Sequence, residues 1–176
     1  MEDEGRLFKQ PEKKETNPKC YKIHFDDDHF GDIETPIDTY RLVGRLNAWL
    51  DTIFAENQLD SANPKISFLC YCIVELSKNA LEYATGGEIA VNFEPNKITV
   101  IVADNESWDG DPNNDILYGS PGHGLSRVKG FADEFIIETN GQKLMKVPGK
   151  RKLVKSADTE IKQGTKITFV KKLILI

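Results

Sequence analysis

Glu75 and Asn79 stand four residues apart in the run Glu75-Leu76-Ser77-Lys78-Asn79-Ala80-Leu81-Glu82-Tyr83. The spacing of the apolar residues around them predicts one continuous helix. At about 100° per residue, positions i and i+4 lie one above the other on the same helix face. Ile66, Leu69, Ile73, Leu76, Ala80 and Tyr83 mark the buried stripe, and the Glu75/Asn79 row falls at its edge. A carboxylate there borders the core, where it can face a pocket and still reach water. Solvated helices carry the same pair, so its meaning depends on the residues farther along the chain.

Three downstream features bear on it. Asp104 closes the strand-like run Ile98 to Ala103; it is either a turn-former or a buried acceptor for the exocyclic amine of a base, a group that such an acceptor selects strongly. Gly119-Ser120-Pro121-Gly122-His123-Gly124-Leu125-Ser126 then runs directly into a second helical pattern. Glycines let backbone amides approach an anion, and a helix N-terminus adds unsatisfied N–H groups and partial positive charge. The run is either a phosphate cradle or a plain start to a helix. It has neither the Gly-Lys-Ser/Thr of a Walker A loop nor a dinucleotide fingerprint. Last, Gly164-Thr165 opens the final strand.

The elements that must hold these residues are readable in outline. Pro36 to about Asn57 and Pro64 to about Thr85 have helical spacing. Thr35-Pro36 and Asn63-Pro64 are their start signals, and Gly86-Gly87 is the expected stop. Strands are predicted at 21–25, 88–93, 97–103, 135–139, 142–147 and 165–176. Asn140-Gly141 is a strong hairpin signal, and a short helix spans 124–133. Residues 105–121, poor in apolar side chains, read as a structureless lid. Residues 148–155 read as a solvated basic loop, and Lys78 and Lys129 as solvated lysines. Asp26-Asp27-Asp28 reads as an acidic turn. The order predicts an α/β sandwich, with a mixed sheet carrying its helices on one face.

Bulk properties narrow the function. The 176 residues fit one domain, 19–176, behind a polar tail at 1–18. A net charge of −5 argues against a dedicated nucleic-acid binder. No apolar run approaches the roughly 20 residues needed to cross a bilayer. The three cysteines suit a reducing cytoplasm as core residues rather than as a metal site.

Taken together, Glu75-x-x-x-Asn79, the strand-end Asp104, the lid, Gly122-His123-Gly124-Leu125 and Gly164-Thr165 form a series that resembles the GHKL ATP-binding superfamily. That superfamily includes the ATPase domains of gyrase, histidine kinases and heat-shock chaperones. The resemblance covers about Pro64 to Val170. Asn79 to Ala84 and Gly124 to Gly130 look like a sensor histidine kinase. A free-standing domain with this glutamate, and with Ala132-Asp133-Glu134-Phe135, is more similar to the anti-sigma-factor serine/threonine kinases.

The resemblance implies a two-layer Bergerat-type fold, ATP and Mg²⁺ as cofactors, and a role for each site residue. Glu75 is the general base and Asn79 the Mg²⁺ ligand. Asp104 holds the adenine amine with support from Thr165, and Gly122, His123, Gly124 and Leu125 contact the phosphates. The partners implied are a small antagonist protein, phosphorylated on Ser or Thr, and a sigma factor; dimers are usual in that branch. The sequence departs from the superfamily at Glu106 and Trp108, where glycines are usual. That departure leaves a catalytically degenerate interaction module as the alternative, beside a detached histidine-kinase catalytic domain.

Overall fold

A computed structural model describes residues 18–26, 36–84, 86–118 and 124–173. Among these residues seven strands and four helices build an α/β fold. In chain order they are β1 (Lys19–Asp26), α1 (Pro36–Glu56), α2 (Pro64–Tyr83), β2 (Gly86–Glu94), β3 (Lys97–Asp104), α3 (Pro112–Tyr118), α4 (Gly124–Phe131), β4 (Glu134–Thr139), β5 (Gln142–Met145), β6 (Val154–Asp158) and β7 (Thr165–Lys172).

The long helices follow their apolar spacing. Leu46, Leu50, Ile53 and Phe54 of α1 are buried against Ile66, Leu69, Ile73, Leu76 and Ala80 of α2 in a single core. Asn63 caps α2, its side-chain oxygen accepting the Lys65 N–H at 2.9 Å with Pro64 behind it. The helix stops at Tyr83, with Ala84 as an extended cap whose N–H reaches the Ala80 carbonyl. Gly86 and Gly87 belong to β2 instead of closing the helix. At the far end of α1, Gln58 takes a left-handed φ of 58° and Leu59 N–H returns to the Phe54 carbonyl at 2.9 Å.

The strand order is β1-β2-β3-β7-β4-β5-β6, and every pairing among the described residues is antiparallel. The expected mixed sheet is therefore corrected. A helical crossover from β3 to β4 leaves those two strands parallel, but β7 inserts between them and pairs with both. One sheet face is apolar. Ile89, Val91 and Phe93, then Ile98, Val100 and Val102, then Ile167 and Phe169, then Phe135 and Ile137 align across the registers. All of them join the core formed with α1 and α2, which places those helices on one face. Phe54 of α1 meets Phe93 edge-on, with ring centroids 5.7 Å apart. The opposite face carries the ion pairs Lys22–Glu88 and Lys166–Glu138, at 2.8 and 2.6 Å.

Two further expectations change. Within the stretch read as a structureless lid, Asp111 caps α3 through the Asn113 N–H, and Ile116 is buried in the core. Trp108 packs there as well, so few apolar residues suffice to seat this segment. The basic loop runs on into β6, a strand with no buried residue and hence no apolar alternation to read. Thr35, Asp27-Asp28, 119–121 and the end of the last predicted strand, 174–176, lie outside the described residues. Among the described residues, no helix is long and apolar enough to cross a membrane.

Candidate functional site

The site residues fall into two groups, each created by packing rather than by sequence proximity. The first lies where α2 meets the start of α4. Glu75 and Asn79, one helical turn apart, are both half-buried, as their place at the edge of the apolar stripe predicts. Gly124, the first residue of α4, is buried directly against Glu75: a Cβ on Gly124 would stand 2.6 Å from Glu75 Cδ. Only a glycine leaves room for that carboxylate beside the helix start. Lys78 Nζ lies 3.7 Å from the Glu75 carboxylate, so this lysine borders the site and is not simply solvated. Leu125 follows Gly124 and is half-buried. Gly122 and His123 lie outside the described residues.

What fixes α4 there is the far end of the helix. Lys146 Nζ donates to the carbonyls of Lys129 (2.9 Å) and Ala132, and Lys171 Nζ donates to Phe131 O at 2.9 Å. Lys171 also lies 4.5 Å above the Phe131 ring. Cations at the last carbonyls satisfy acceptors and oppose the negative end of the helix dipole. Lys129 corrects the reading as a solvated lysine: it is buried, and its ammonium donates to the Arg151 carbonyl. Burial, with Lys146 and Arg151 nearby, pulls its pKa below the usual lysine value.

The second group lies at the end of the central strands. Because β7 pairs with β3, Asp104 stands opposite Thr165, and Thr139 of β4 lies on the other side of Thr165. Thr165 Oγ1 donates to the Glu106 carbonyl at 2.8 Å, and the two threonine hydroxyls are 3.2 Å apart. Asp104 Oδ1 accepts the Glu106 N–H at 3.1 Å. Burial pushes the Asp104 carboxyl up to about 6, against the pull of backbone donors at Glu106 and Thr165. Half-buried at a strand end, Asp104 is thereby a candidate acceptor. Gly164 closes this corner at a φ of +88°, where an added Cβ would stand 2.6 Å from the Asp104 carbonyl oxygen.

Glu106 and Trp108 are accommodated without glycine geometry, since neither has a positive φ. Glu106 is exposed while its backbone is held by Asp104 and Thr165. Trp108 is tied down on three sides. Its N–H donates to Thr139 Oγ1 (3.0 Å), its carbonyl accepts from Asn140 (2.8 Å), and its indole N–H reaches Asp115 of α3 (2.6 Å). Thr139 was not singled out from sequence, although a hydroxyl at the inward position after Phe135 and Ile137 is the signal that could have found it.

Among the described residues, no group of three or more His, Cys, Asp or Glu side chains could hold a metal by itself. Magnesium bound with a nucleotide takes few protein ligands, its other positions going to phosphates and water. Asn79, half-buried and one turn from Glu75, carries an amide oxygen of the kind that role needs. Cys70 and Cys72 are free thiols pushed up to about 11 and about 12 by burial, in keeping with a place in the packing. No protein-family model matches the chain, and no curated protein does.

Proposed function

We propose that this chain is a GHKL-type Mg-ATP-binding domain of the Bergerat kind, acting as an anti-sigma-factor-like serine/threonine kinase on a small antagonist protein. The observation that carries the reading is the contact between Glu75 and Gly124, one turn from Asn79. A carboxylate held beside the amide end of a helix can orient and deprotonate a hydroxyl attacking a phosphate that those amides bind. Asn79 Oδ1 is the oxygen that would hold Mg²⁺, and the ion would neutralise charge on the β- and γ-phosphates. Asp104, ionised above about pH 6, accepts the adenine amine, and Thr165 keeps the adjoining backbone in place. The cytoplasm, a sigma factor as second partner and assembly as a dimer belong to the same proposal.

A second reading, a module that binds partners without catalysis, is favoured by one feature. Trp108 fills a position that the superfamily leaves to glycine and packs into the core.

Glu75→Gln separates the two. It keeps the shape of the side chain and removes the base, so ATP affinity should persist while transfer to a co-purified antagonist falls roughly 10²–10⁴-fold. Radiolabelled γ-phosphate transfer measures this. Undiminished transfer by Glu75→Gln removes Glu75 as the base, and no transfer by the wild type supports the module.

A further inference from the structure

The turn before β6 and β6 itself form a surface that the nucleotide reading does not use. Lys150, Arg151 and Lys152 are consecutive, exposed cations, and none makes an ion pair with a described residue, on a chain of net charge −5. Their backbone is nevertheless fixed at several points. Gly149 takes a φ of +77°, and Lys150 N–H closes a turn on the Val147 carbonyl at 3.1 Å. The buried Lys129 ammonium holds the Arg151 carbonyl. Leu153 is buried, and its N–H and C=O both engage the Asn113 amide of α3, at 2.7 and 3.3 Å. The three cations thus project from a fixed backbone, which lowers the ordering cost of binding.

The adjoining strand is open. β6 lies at the end of the sheet and pairs with β5, and among the described residues no strand pairs with its other side. All five of its residues are exposed, Val154 to 40%. Lysines often guard such edges, but the lysine within β6, Lys155, is paired with Asp158 at 2.9 Å. The unpaired cations sit beside the strand, at its N-terminal end, where they leave the ladder groups accessible. Asp158 and Glu160, both exposed, put negative charge at the other end.

We infer that the β6 edge and the Lys150–Lys152 turn are a docking surface for an acidic, extended peptide segment of a partner protein. The segment adds a strand to β6, and its acidic residues lie over the turn. Main-chain hydrogen bonds supply the attachment and the charges set the register. Because the turn is tied to α4 through Lys129 and to α3 through Asn113, the partner grips the same elements that hold the candidate site.

The probe is a fluorescein-labelled peptide of about ten residues, glutamates in one half and alternating Thr and Val in the other, followed by anisotropy on the full chain. Saturable binding should weaken at least about tenfold with Lys150→Glu/Arg151→Glu/Lys152→Glu, and similarly when alternate peptide residues are proline and cannot donate. Amide shifts on the wild type, which need no variant, should centre on 150–158. The inference is overturned if the wild type does not bind, if the proline peptide binds equally well, or if the shifts lie elsewhere. It is equally overturned if an oligothymidylate of the same charge binds as tightly, which would make the turn a general polyanion surface. None of these outcomes depends on ATP binding, so a failure here leaves the kinase reading standing, and the converse holds.

Discussion

Gly124 is the residue on which the site turns, because its missing side chain is the space that Glu75 occupies. Gly124→Ala would drive the carboxylate out, since Cγ, Cδ and Oε1 of Glu75 all crowd the new Cβ, and a rotation of that side chain relieves the clash without moving the backbone. Alanine is favoured over glycine by about 1 kcal/mol in a helix interior, and by less at a first helical residue such as this one. Thermal unfolding should therefore show an unchanged or raised midpoint while phosphoryl transfer falls as far as in Glu75→Gln, and the double variant should be no worse than either single one. A variant that loses stability but keeps activity would mean that the contact is only packing. Glu75, Asn79, Asp104 and Thr165 stand out in the sequence as candidates because each sits at a marked point: a stripe edge, a strand end, a strand start. The Glu75–Gly124 contact was not legible, since 49 positions separate residues whose meeting depends on how two helices pack.

At the scale of elements, α4 is short and ends in a clamp of two lysines, one from β7 and one from the residue that follows β5. Lys146→Met keeps most of the apolar stem and removes the donor from the Lys129 and Ala132 carbonyls. A loss of about 1–2 kcal/mol is expected from the dipole and hydrogen-bond contributions together. Urea unfolding measures that loss, and amide exchange should quicken across 125–131 with little change in α2. Uniform quickening throughout the domain would show that Lys146 does not act on α4 in particular. The helices α1 and α2 were readable because burial imposes a period on their sequences. α3 and β6 escaped for opposite reasons: α3 has a sound Asp111-Pro112 start but only seven residues, too few for a period. β6 lies beyond the cover of the helices, where nothing imposes alternation.

For the molecule as a whole, the last strand entering the middle of the sheet is the decisive event. β7 makes the sheet antiparallel throughout the described residues and sets Thr165 between Asp104 on one side and Thr139 on the other. Strand order is a property of the assembled layers, so the sequence could suggest a sheet and its apolar face but not that insertion. The central claim is that this arrangement binds Mg-ATP, and calorimetric titration with ATP tests it most directly. At pH 7.5, where Asp104 is ionised, the account predicts saturable binding in the micromolar range that strengthens with Mg²⁺. Asn79→Ala should lose that Mg²⁺ dependence with its fold intact. No binding by the wild type at high micromolar ATP, with or without Mg²⁺, would contradict the claim.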